Sequence, residues 1–186
     1  ALMAARCESC LKTLKRVLGD EAMRGTEMFK PDQEFDGPHE LDLIGRPLRV
    51  LHYGHSSGPG DIAVFDLHSG VLFAGGLLDQ GRIPDVQDSD PAGWSQALAA
   101  LKVLPIRGIV PGHGPAAAPD LIDRNQRYLA QLDARLRELL QRDAALSEVP
   151  DGARLPEFEG WGQYETIHRR NASVWFLRLE REQLTK

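Results

Sequence analysis

The sequence predicts a mixed α/β (α+β) fold, an antiparallel or mixed sheet with flanking helices, and three observations carry that expectation. Short apolar runs separated by Gly- and Pro-bearing turns crowd residues 41–115. On either side, apolar residues recur at helical spacing instead. Between the strand-like runs stands Asp90-Pro91, a capping residue followed by proline at the first helical position. The chain reads as one folding unit over 1–186, with a helix in 1–19, the sheet and candidate site in 41–115, and a helical tail in 120–186.

Each element has its own reason. Met3, Cys7, Cys10, Leu11, Leu14, Val17 and Leu18 form one stripe, predicting a helix over 2–18 that ends at Gly19. Gly25, Pro31, Asp36, Gly37 and Pro38 break any period, so 20–40 reads as loop. Leu41–Ile44 and Leu48–Tyr53 pair across Gly45-Arg46-Pro47, and Ile62–Leu67 and Val71–Ala74 pair across His68-Ser69-Gly70, which makes a four-strand meander. Trp94, Leu98 and Leu101 mark a helix ending near Leu104, and Ile106–Val110 is a further strand running into Pro111-Gly112-His113-Gly114-Pro115. Ile122, Leu129, Leu132, Leu136, Leu139 and Leu140 then line one face of a long surface helix. Residues 147–160 read as loop, and Tyr164 to Leu179 as a final helix.

Composition excludes several function classes. With 22 Lys+Arg against 27 Asp+Glu, the net charge of −5 offers no field to draw in a nucleic-acid backbone or an anionic membrane. No apolar run approaches the roughly 18 residues that a membrane span needs, so the sequence predicts a soluble chain with neither nucleic acid nor membrane as partner. The two cysteines, Cys7 and Cys10, form one C-x-x-C. A helical apolar stripe predicts buried small hydrophobes there; a redox or disulfide pair and half of a zinc site are the alternatives.

The residues that could carry chemistry are fewer. His55 and His113 each follow a glycine where a strand gives way to a tight turn, a place where a scaffold presents a ligand. Neutral imidazole is a common zinc ligand, and the pair together points to metal chemistry more than either alone. His52 lies in a strand and reads as a paired core or edge residue, with support of a metal ligand as the alternative. His39 and His68 read as exposed turn residues, and His168, beside Arg169 and Arg170, as part of a solvated helix face. Asp79, Asp85, Asp88 and Asp90 crowd one loop and suit caps and turns, with a metal or substrate role open for Asp79 or Asp88. Gly54-His55-Ser56-Ser57-Gly58 has the letters G-x-S-x-G but is read as the glycine-rich turn that presents His55 rather than as a nucleophile elbow, and there is no phosphate-binding glycine loop, so serine-hydrolase and P-loop chemistry are set aside.

The order GHSSGPGDIAVFD, GVLFAGG, GRIPD, helix, strand and IVPGHGP resembles the C-terminal half of the metallo-β-lactamase superfamily. Within it, RIPD, GW, IVPGHGP and HRRN with a following LE are similar to the bacterial quinoprotein-associated zinc metallohydrolases. The resemblance implies half of an αββα sandwich with a zinc site at one edge. It also implies a periplasmic location and hydrolysis by metal-bound hydroxide, in a superfamily whose substrates range over β-lactams, thioesters, nucleic acids and phosphoesters. It carries His113 over as the final ligand, in the PGHG turn, and His55 as the ligand after the earlier strand. Counted back from Asp61, the family spacing falls on Ser57, so His55 requires a longer turn. The chain departs from the pattern twice: it contains no H-x-H-x-D-H, and Gly76 stands where a bridging carboxylate or thiolate belongs. Two neutral ligands make an incomplete site. The expectation is therefore a fragment of a zinc-dependent hydrolase, inactive alone, whose partner is the missing N-terminal half or a second copy in a homo-oligomer. The alternative is a non-catalytic binding or assembly module that has lost its metal site.

Overall fold

A computed structural model describes residues 2–29, 32, 34, 37–43 and 45–185. Pro31 and Asp36 of the expected loop, Ile44 of the first expected strand and the side chain of Met3 lie outside the described residues. The chain divides into two compact units, 1–36 and 37–186.

The first unit holds the helix α1 (Leu2–Leu18), as its period predicts, and a turn in which Met23 is buried. The expected burial of Cys7 and Cys10 is not found: both are exposed free thiols, and Leu14, Val17 and Leu18 on the same stripe are exposed too. The reason is that α1 is the only helix among the described residues of its unit, so within that unit the stripe has no facing element to pack on.

The second unit is built on one five-stranded sheet in the order β1 (His39–Leu43), β2 (Arg46–Leu51), β3 (Ala63–Asp66), β4 (Val71–Asp79) and β5 (Gly108–His113). The first four form the expected antiparallel meander. β5 lies parallel to β4, reached through the helix α2 (Pro91–Leu101), so the ends of β4 and β5 point the same way. β4 continues to Asp79, well past Ala74, with register shifts on both sides of Gly75. β5 likewise extends to His113.

One face of the sheet presents Phe65, Leu72 and Ile109, which are cross-strand partners and nearly inaccessible. Burial of such side chains contributes about 1.5–3 kcal/mol each. They share a core with α2 and with the long helix α3 (Leu121–Gln141). α2 starts as its sequence predicts, with Asp90 accepting a hydrogen bond from the Ala92 N–H at 3.1 Å and Pro91 at the first position. Its Trp94 is buried and donates its indole N–H to the Leu77 carbonyl at 3.0 Å. The other face carries Val50, Val64, Phe73 and Val110 in one cross-strand row, of which Phe73 is 47% and Val110 39% exposed.

Residues 147–160, expected as loop, contain a single helical turn, α4 (Val149–Gly152), and a 3-10 turn at Pro156–Phe158. The last helix, α5 (Arg169–Leu184), is preceded by a π-turn at Tyr164–His168. No helix among the described residues is long and apolar enough to cross a membrane.

His168 corrects its expectation outright. It is 1% exposed rather than solvated. Its Nε2–H donates to the Ala153 carbonyl at 3.0 Å, which leaves Nδ1 to accept from the Tyr128 hydroxyl at 3.1 Å, and its ring stacks on Tyr164. Burial pushes its pKa below the ordinary 6.5. The unfolded chain then takes up a proton that the folded one refuses, so stability is full above the unfolded pKa and falls as pH drops below it. Thermal midpoints are accordingly expected to fall between pH 7 and pH 5, and less steeply in His168→Gln; parallel slopes in the two proteins would contradict the assignment.

Candidate metal centre

The parallel pairing of β4 with β5 sets Asp79 directly beside His113 at the strand ends. The Nδ1 of His113 lies 2.8 Å from Oδ1 of Asp79. The carboxylate is almost fully covered, with 8% of its side chain accessible, whereas the imidazole is 56% accessible. Burial raises the Asp79 pKa, while the hydrogen bond to His113 and the nearby charge of Arg82 oppose that rise. The backbone of Asp79 is held from the other side by Asn125 of α3. Its Oδ1 accepts the Asp79 N–H at 3.2 Å and its Nδ2 donates to the Asp79 carbonyl at 3.0 Å. After the strand ends, the Gln80 N–H donates to the His113 carbonyl at 2.9 Å.

The turn after β2 forms the neighbouring rim. Asp61 organises it, its carboxylate accepting from the Ser57 hydroxyl and the Gly58 N–H. His52, expected within the strand, lies just past its end at Leu51; it is half-buried and paired, with Nδ1 2.8 Å from the Asp61 carbonyl oxygen. The turn is tied to the start of α2 by the Asp90 N–H, which donates to the Ser56 carbonyl at 2.8 Å. His55 is exposed and its Nε2 lies 2.7 Å from the Asp88 carbonyl. A carbonyl only accepts, so Nε2 carries the proton and Nδ1 is the ring's remaining acceptor.

The chemistry of a zinc site asks for three protein donors with a fourth position open. His113 offers Nε2. Among the described residues, however, there is no group of three or more His, Cys, Asp or Glu side chains placed to hold one metal ion. At Gly76 a Cβ would meet the Ser57 hydroxyl at 3.1 Å and the Asp61 carboxylate at 3.5 Å. Ser57 and Gly76 thus face each other, and neither is a His, Cys, Asp or Glu. The described residues do not fit a closed zinc site.

Of the other carboxylates, Asp85 accepts the Gln87 N–H at 3.0 Å and Asp90 caps α2, as a turn-and-cap reading predicts. Asp79 differs, and sequence reasoning missed its partner. The signal that could have found it is the crossover: a strand, a helix and a strand bring two parallel strand ends together. Asn125 left no such signal, since it looks like any polar residue within a helical period.

The Metallo-beta-lactamase superfamily model matches residues 10–113. The chain belongs to this superfamily. Among solved structures it is similar to a metallo-beta-lactamase from Pontibacter korlensis, with a TM-score of 0.51, 20% identity, and 64% of this chain and 62% of that chain covered. It is also similar to TMB-1, with a TM-score of 0.49, 18% identity, and 66% and 62% covered. At 20% identity the likeness to the Pontibacter korlensis structure is one of fold, and the match covers about three fifths of that chain. No curated protein sequence matches it.

Proposed function

We propose that this chain is the C-terminal part of a zinc-dependent metallo-hydrolase, inactive by itself, to which it contributes His113 as a metal ligand and His55 as a second candidate. The observation that supports this reading is the Asp79–His113 pair, a buried carboxylate holding an exposed imidazole at a parallel strand end. Zinc bound in a completed site would supply hydroxide at neutral pH from a coordinated water. The chain's own part is to hold His113 in place and to keep the Ser57–Asp61 turn against Gly76. The remaining ligands come, in this reading, from a segment bearing H-x-H-x-D-H. That segment seats on the open sheet face around Phe73 and Val110; without it, the same face pairs two copies of the chain. From the resemblance the reading takes a periplasmic location and association with quinoprotein dehydrogenases.

A second reading, a binding or assembly module without chemistry, is favoured by one observation, the facing of Ser57 and Gly76 where ligands belong. Hydrolysis by the native polypeptide that contains this chain separates the two, assayed over β-lactam, thioester and phosphodiester probes. The enzyme reading predicts activity that chelation removes and His113→Ala lowers by more than about 100-fold, the upper end of what loss of a supporting group alone costs. A native polypeptide without metal uptake, or with activity indifferent to His113→Ala, overturns it.

A further inference from the structure

We infer that Asp79 is a positioning residue for His113: it fixes the imidazole in the tautomer with the proton on Nδ1 and the lone pair of Nε2 directed away from the protein. The inference rests on the proposed function for its purpose, since a ligand histidine must present a bare nitrogen, but its geometry stands independently. Oδ1 of Asp79 is 2.8 Å from Nδ1 of His113, and an ionised carboxylate only accepts, so Nδ1 must donate. Which ring nitrogen carries the proton is set by the bond the other makes. One oxygen of Asp79, Oδ1, is thereby committed to the imidazole.

Two further contacts make this a support rather than a chance pair. Asn125, which is fully buried, grips both backbone groups of Asp79 and also donates from Nδ2 to the Leu121 carbonyl at 3.0 Å, so the carboxylate projects from a clamped strand end. His113 is in turn tied back through its carbonyl to the Gln80 N–H. Carboxylate, imidazole and metal in series is an arrangement that orients a ligand ring and raises its basicity. Here the first two members are assembled by the β4–α2–β5 crossover and need no metal to form.

Long-range nitrogen-proton NMR of the metal-free chain, with ¹⁵N-labelled histidine at mildly alkaline pH and His113→Gln to assign the ring, tests this. The wild-type chain is expected to show Nδ1 as the protonated nitrogen of His113 and Nε2 as the bare one. In Asp79→Ala the Nδ1–H signature is expected to be lost, with the proton mostly on Nε2, the backbone spectrum otherwise reporting an intact fold. A proton on Nε2 in the wild type overturns the inference without any variant having to fold. So does an Nδ1–H signature that survives Asp79→Ala. Zinc uptake is not part of this readout, so failure here leaves the ligand role of His113 standing, and failure of zinc-dependent hydrolysis leaves the tautomer standing.

Discussion

Gly114→Ala is expected to destabilise the protein by about 2–5 kcal/mol, and Gly54→Ala by much less. Both glycines have left-handed backbone, at φ +94° and +77°. An alanine there costs roughly 1–2 kcal/mol from that conformation alone. At Gly54 a Cβ meets nothing within 4 Å, whereas at Gly114 it would overlap the backbone carbonyl of Gln80. A backbone atom cannot rotate aside as a side chain does, so β4 and β5 would have to part locally, at about 1–3 kcal/mol more. The same displacement breaks the link from the Gln80 N–H to the His113 carbonyl and loosens the candidate ligand. Urea midpoints of the two variants measure the difference; equal losses would show that the close approach at Gly114 carries no energetic weight.

Asn171→Ala is expected to destabilise the protein by roughly 2–6 kcal/mol. Asn171 is fully buried on α5. Its Oδ1 accepts the Val86 N–H at 3.1 Å, and its Nδ2 donates to the Pro84 carbonyl at 2.7 Å and to the Tyr128 hydroxyl at 3.0 Å. Truncation leaves the Val86 N–H and the Pro84 carbonyl buried without these partners, at about 1–3 kcal/mol each. Tyr128→Phe removes a hydroxyl from the same network while leaving the backbone groups satisfied, and should cost about 1–3 kcal/mol because the buried Nδ1 of His168 loses its donor. Because the two residues touch, the double variant should lose less than the sum of the single losses. Strict additivity in denaturation, or an Asn171→Ala loss no larger than that of Tyr128→Phe, would contradict the account of how the loop after β4 is anchored.

What was legible in the sequence is what local physics decides. The α3 stripe, with Leu129, Leu132, Leu136 and Leu139 buried as its period requires, and the Asp90-Pro91 start of α2 are local signals, and both appear where they were read. The meander was equally plain from its turns. The end of β4 was not, because Gly75-Gly76 interrupts any alternation and only the parallel partner β5 keeps the strand going to Asp79. His168 was misread for a similar reason. Its neighbours Arg169 and Arg170 suggest solvent, while the partners that bury it, Tyr128 and Ala153, lie far along the chain. The stripe of α1 was read correctly as a period and wrongly as a buried face, since periodicity shows that a helix has an apolar side but not that anything covers it. At the candidate centre, the PGHG turn identified His113, whereas Asp79, which accepts from its Nδ1, and Asn125 behind Asp79 are brought there by the β4–α2–β5 crossover, a signal in the order of elements rather than in any local motif.

Zinc per chain, measured by elemental analysis on the purified polypeptide alongside His55→Ala and His113→Ala, tests the central claim most directly, namely that this chain supports one strong ligand and not a whole site. The account predicts well under one zinc per chain in the parent, with both variants as well folded as it is. Close to one zinc per chain, lost in both variants, would show that the site closes within these residues and would contradict the account.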